Sequence, residues 1–119
     1  MFANTEATIV DVSNLDTSNV TNMSRMFGIY NPSFGGKYSS NLTNIIGLEK
    51  LNTSKVTDMS YMFQYIIMPI LDLSTFYISN VTEMTSMFGS ATITTGYAKT
   101  QADADRFNAV SSSSIFIVK

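Results

Sequence analysis

Leu-Asp-Thr-Ser-Asn-Val-Thr-Asn-Met-Ser-Arg-Met-Phe at Leu15–Phe27 returns as Leu-Asn-Thr-Ser-Lys-Val-Thr-Asp-Met-Ser-Tyr-Met-Phe at Leu51–Phe63. It returns again as Phe-Tyr-Ile-Ser-Asn-Val-Thr-Glu-Met-Thr-Ser-Met-Phe at Phe76–Phe88. Phe2 to Phe27 and Phe63 to Phe88 are steps of 25 residues, and Phe27 to Phe63 is a step of 36, the same period with 11 residues inserted. A fixed period of this size marks stacked units, none of which can bury its apolar face alone. Repeat arrays of this kind present extended surfaces, so binding ranks ahead of catalysis among the expected functions.

Aligned by period, four columns are apolar: Val20/Val56/Val81, Met23/Met59/Met84, Met26/Met62/Met87 and Phe27/Phe63/Phe88. Within one unit they fall at i, i+3, i+6 and i+7, which predicts a short α or 3-10 segment at about 21–27, 57–63 and 82–88. Upstream, Val10-Asp11-Val12-Ser13 and Leu71-Asp72-Leu73-Ser74 alternate with period two, the pattern of a strand buried on one face. Ile46-Gly47-Leu48-Glu49 is the matching stretch of the middle unit, with Ile45 leaving its register open. The expected fold is an α/β repeat, a leucine-rich-repeat-like solenoid of short parallel strands and short helical segments. Seven of the eight methionines fall in repeat columns, counting Met1 with Met26. Core is the reading for that stripe, ahead of a methionine-lined binding groove.

The polar columns Ser18/Ser54/Ser79 and Thr21/Thr57/Thr82 stand where side-chain oxygens can cap backbone N–H groups or bond neighbouring turns, and stacked copies can form ladders. Asn19, Asn22, Asn41, Asn52 and Asn80 each open an Asn-X-Ser/Thr glycosylation pattern. Four of these are by-products of the repeat, and structural use is preferred.

Seven basic residues against nine acidic give a net charge of −2, without the basic cluster that nucleic-acid binding requires. Hydrophobic residues make up 45% and charged residues 13%, a balance unlike that of a charged disordered chain. The longest apolar run, Tyr65–Leu71, is too short for a membrane span and contains Pro69. No signal peptide or anchor is evident, and direct membrane insertion is not expected. With neither Cys nor His, the chain has no disulfide framework, no Ser-His-Asp or Cys-His nucleophile and no histidine zinc site. No cofactor and no metal are expected.

Residues 1–91 are read as the array: a partial unit at 1–2, whose Met1-Phe2 matches the end of a repeat, then three repeats ending at Phe27, Phe63 and Phe88. Residues 92–119 are read as a C-terminal strand-helix-strand cap. Thr92–Thr95 is its first strand, Gly96 a turn, Thr100-Gln-Ala-Asp103 the start of a helix burying Ala102, Phe107 and Val110, Ser111–Ser114 a linker, and Ile115–Val118 the closing strand. The insertion, about 29–39, is turn-rich and carries Tyr30, Phe34, Lys37 and Tyr38. Insertions in repeat proteins map to loops on one face, often the binding face, and aromatics among Ser, Gly and Asn suit recognition. These four residues are binding candidates, with Tyr30, Phe34 and Tyr38 expected to be exposed. The outward strand positions Asp11, Ser13, Glu49, Asp72 and Ser74 join them.

Placed on neighbouring strands, Glu49 and Asp72 would lie roughly 7–8 Å apart, within the range of about 6.5–9.5 Å used by inverting glycosidases. Nothing in the sequence raises the pKa of either carboxyl group, so a carboxylate-based glycoside hydrolase is the third reading and the chain is taken as no enzyme.

The stretch Leu71-Asp-Leu-Ser-Thr-Phe76 followed by Ser79-Asn-Val-Thr-Glu-Met-Thr-Ser-Met-Phe88 resembles the BspA-like leucine-rich repeat of mycoplasma lipoproteins and Gram-positive surface proteins. The segment Thr95–Asn108 resembles the one that closes such arrays. Tyr30, Ile66 and Ala91 stand where that repeat often has Cys, and Tyr77 where it has Asp. The resemblance implies an extracellular, bacterial cell-surface protein whose array mediates adhesion, binding a host or matrix protein or a glycan. The alternative is a spacer or display stalk that self-associates through its open N-terminal repeat.

Overall fold

The computed structural model describes residues 8–28, 42–111 and 115–119. The strands β1 (Ile9–Asp11) and β2 (Asn44–Ile46) pair in parallel, Val10 opposite Ile45. A second parallel sheet has the order β3-β4-β5, from Ile67–Leu73, Thr92–Ala98 and Phe116–Val118. Leu71 faces Gly96, and Gly96 faces Phe116. Among the described residues, one 3-10 turn, Leu48–Lys50, follows β2, and one helix, α1 (Gln101–Ala109), stands between β4 and β5 in the chain.

The expected leucine-rich-repeat-like solenoid is not what forms. The strands divide between two small sheets, and with α1 they close into a compact globule of 38 × 31 × 23 Å. Its radius of gyration of 13.2 Å is close to the ~13 Å of a globular chain of this size. The break between sheets has a local cause. Val10 and Leu71 precede Phe27 and Phe88 by 17 residues, whereas Ile45, which takes the core position opposite Val10, precedes Phe63 by 18. Gly47 absorbs the extra residue at φ 82°, a left-handed conformation that glycine adopts without strain. A Cβ there would stand 2.5 Å from the Ser13 Cα. The chain then turns into Leu48–Lys50, so the strand expected at Ile46–Glu49 ends at Ile46.

Nor do helices form at 21–27, 57–63 and 82–88. Each of these segments is a turn with Arg25, Tyr61 or Ser86 in the left-handed region, at φ 59°, 59° and 51°. Such a residue costs about 1–2 kcal/mol and stops a right-handed helix from propagating. The backbone donors point sideways instead: Met23, Arg25 and Phe27 N–H donate to the Asp58, Ser60 and Met62 carbonyls at 2.9 Å. Met59, Tyr61 and Phe63 N–H donate in turn to Glu83, Thr85 and Met87. The apolar columns still face inward, because the turn repeats the same spacing. Phe27, Phe63 and Phe88 stack with centroids 5.5 and 5.9 Å apart, all at most 1% exposed.

The Thr and Ser columns serve the same joints. Thr57 and Thr82 hydroxyls donate to the Thr21 and Thr57 carbonyls one unit back. Buried Thr17 and Thr53 each bridge two units, accepting an N–H and donating to the C=O of Asn52 and Tyr77 respectively. Ser18 and Ser54 cap no helix. They donate to Asp16 and Asn52 two residues back, in turns held by the acceptor side chain.

At the C-terminal end, Thr100 caps α1 by accepting the Asp103 N–H at 3.1 Å. The buried residues of α1 are Ala104 and Phe107; Ala102 is exposed and Val110 is half-buried against the core. Arg106 donates to the Ile78 and Val81 carbonyls, tying α1 to the last repeat. Phe107 and Phe116 cover Phe88, at 5.8 and 4.8 Å between centroids. Gly96 is no turn but the middle of β4, where a Cβ would meet the Phe116 ring at 2.5 Å. Residues 112–114 of the expected linker lie outside the described residues.

Candidate functional site

The seam between the two sheets opens into a cleft of about 500 Å³, within the roughly 300–1,000 Å³ of ligand sites. Asn44 and Ile45 of β2 form one wall, continued by Leu48 and Glu49 of the 3-10 turn. Met68, Ile70, Leu71 and Asp72 of β3 form the other, with Ser74 and Thr75 beyond the strand. Lys119, just past β5, also lines the cleft. Leu71 and Met68 belong to the buried core, whereas Ile70 is 59% exposed.

The cleft's charges are arranged by short local bonds. Lys119 forms an ion pair with Asp72 at 2.5 Å, and Ser74 N–H donates to the other Asp72 oxygen at 2.9 Å. Burial alone would raise the Asp72 carboxyl, but the hydrogen bonds from Lys119 and Ser74 and the lysine charge outweigh it, holding it below its ordinary 3.8. The bond to Asp72, then its charge, raise Lys119 above its ordinary 10.5. Glu49 is exposed and has no ion-pair partner among the described residues.

Of the strand positions read from the sequence, the cleft gathers Glu49, Asp72 and Ser74. Glu49 arrives on the 3-10 turn rather than on a strand, so the diagonal strand geometry assumed for Glu49 and Asp72 does not apply. Asp11 and Ser13 lie outside the cleft lining. The Ser13 hydroxyl and N–H donate to Asp11 and, after them, the Lys50 charge helps keep that carboxyl below its ordinary value. Tyr30, Phe34, Lys37 and Tyr38 lie outside the described residues. Sequence reasoning missed Lys119 and Ile70. Lys119 reaches Asp72 across 47 residues through the β3-β4-β5 order, which no local spacing signals. Ile70 was detectable as an apolar residue on the polar phase of β3's alternation.

No group of three or more Asp, Glu, His or Cys that could hold a metal occurs among the described residues. No helix among them is long and apolar enough to cross a membrane. Among the described residues the cleft thus sets the Asp72 carboxylate, paired with Lys119, beside Glu49, which has no ion-pair partner among them, and the exposed Ile70.

These features define a small parallel α/β protein assembled from one repeated turn, with a cleft where its two sheets fail to join. The chain belongs to the DUF285 family, described as a Mycoplasma protein of unknown function, whose sequence profile matches residues 1–112. No curated protein and no solved structure gives a significant match.

Proposed function

We propose that the protein is a non-catalytic binding module of a bacterial cell-surface protein, serving adhesion to a host or matrix protein or a glycan. The observation that carries this reading is the cleft, which collects Glu49, Asp72 and Ser74 with an exposed Ile70 on walls fixed by backbone ladders. The BspA-like character of Leu71–Phe88 supports the surface setting. Binding is preferred to hydrolysis because Asp72 is held ionised by Lys119 and Ser74, whereas a general acid needs a raised pKa.

The test is an array of matrix proteins and glycans probed with the purified chain, an Ile70→Lys variant, and a variant with residues 29–39 replaced by a Gly/Ser turn. Binding by the parent chain with at least a tenfold loss in one variant is expected. Absence of binding by the folded parent at micromolar concentration refutes the reading.

A further inference from the structure

The strand edges at the two ends of the molecule are finished differently. In β1, the residues that bond β2 are Thr8, Val10 and Val12: Asn44 N–H donates to the Thr8 carbonyl, Val12 N–H donates to that of Ile46, and Val10 stands opposite Ile45. Alternate residues of a parallel strand bond along one edge, so the N–H and C=O of Ile9 and Asp11 face away from β2. Both residues are exposed, and these groups have no partner among the described residues.

In β5, Ile115 accepts from the Gly96 N–H and Lys119 donates to the Ala98 carbonyl, which leaves the N–H and C=O of Phe116 facing away from β4. Here both groups are taken. The Asn108 side chain accepts the Phe116 N–H at 2.8 Å and donates to the Phe116 carbonyl at 3.0 Å, as the main chain of a further strand would. The two residues before it complete the closure, Arg106 on the Ile78 and Val81 carbonyls and Phe107 against the Phe88 ring.

The open edge and the plugged one are complements. Set parallel to β5 with Val10 opposite Phe116, β1 of another copy receives the Phe116 N–H on its Ile9 carbonyl and gives its Asp11 N–H to the Phe116 carbonyl. Those are the two bonds that Asn108 makes. Val10 and Phe116 are both buried, so this register keeps core face with core face. The contact joins opposite ends of two copies, so each addition exposes a further edge and the assembly grows without closing.

We infer that α1 is a latch, fastened to the β5 edge by Asn108, which stops copies of this chain from joining end to end through β5 and β1. Because α1 packs on β5, the latch has to lift before a second β1 can enter. The inference is independent of what the cleft binds.

The test compares the parent with Asn108→Ala and Asn108→Asp. The aspartate still accepts the Phe116 N–H but gives nothing to its carbonyl, so it keeps half of the plug and serves if the alanine variant does not fold. Amide exchange at Phe116 should quicken about tenfold or more in Asn108→Ala, and less in Asn108→Asp. By sedimentation velocity up to millimolar concentration, the parent should stay monomeric while the variants form a concentration-dependent series. Adding Asp11→Pro, at an edge position whose N–H faces solvent and tolerates proline, should return them to monomers. Unchanged exchange at Phe116, a folded variant that stays monomeric throughout, association that survives Asp11→Pro, or a parent that is itself polymeric each overturn the latch.

Discussion

Phe63 is the side chain on which the stacking of units should depend most. It is 0% exposed, lies between Phe27 at 5.5 Å and Phe88 at 5.9 Å with ring planes within 15° and 5°, and meets Phe76 at 6.5 Å. Truncating a buried Phe to Ala costs about 3–5 kcal/mol from forfeited transfer energy and the cavity left behind. Each aromatic pair adds about 0.5–1.5 kcal/mol beyond area. Because the truncation removes two parallel stacks and one tilted ring pair, Phe63→Ala belongs at the upper end, near ~5 kcal/mol. Phe63→Leu keeps most of the apolar volume and gives up chiefly the ring pairs, so it should cost about 1–3 kcal/mol. Against a total of about 5–15 kcal/mol for a domain, the alanine variant is severely weakened and the leucine variant is not. Urea unfolding followed by circular dichroism measures both, with a lower midpoint and an unchanged slope expected for each. An alanine cost below about 2 kcal/mol, or a leucine cost equal to it, would refute the claim that the three stacked rings hold the units together.

Two further outcomes follow from polar joints. Thr53→Val keeps shape but leaves the Tyr77 N–H and C=O without the hydroxyl that serves both; at a site 2% exposed, the loss should be about 1–3 kcal/mol, largely restored in Thr53→Ser and checked by the same urea titration. The folded Asp72 carboxyl lies below its ordinary value, so the stability it contributes is complete above the unfolded value of about 3.9 and is lost as pH falls through the folded one. Lys119 lies above its ordinary value, so its share is complete below about 10.5 and is lost as pH rises through the folded pKa. Carboxyl NMR should therefore give Asp72 a midpoint under 3.8 that rises in Lys119→Met; a midpoint at or above the unfolded value contradicts the pairing.

Much of the molecule is written locally. The repeat columns name the core correctly: Val56, Met59, Met62, Phe63, Val81, Met87 and Phe88 are all buried. The strands around Val10 and Leu71, the Thr100 cap, the helix after it and the closing strand also follow from spacing and capping chemistry. The helices expected at the Met-Phe motifs were wrong for an identifiable reason. An i, i+3, i+7 pattern reports only which residues face inward, and a left-handed turn at Arg25, Tyr61 and Ser86 satisfies it as well as a helix does. The decision lies with the sideways hydrogen bonds, which exist only when a neighbouring unit is present. The single solenoid failed for a related reason. One additional residue before Phe63, taken up at Gly47, ends β2 early and leaves β3 to pair only with β4.

By itself, then, the sequence determined the period, the buried columns and the helix that follows Thr100, because each depends on residues close in the chain or on their recurrence. Only the tertiary structure decided that the strands split into two sheets, that Glu49 stands on a turn facing Asp72's strand, and that Lys119 closes on Asp72. Those outcomes depend on register between units and on β5 returning beside β4, and a one-residue shift in register moves an entire strand's side chains to the other face.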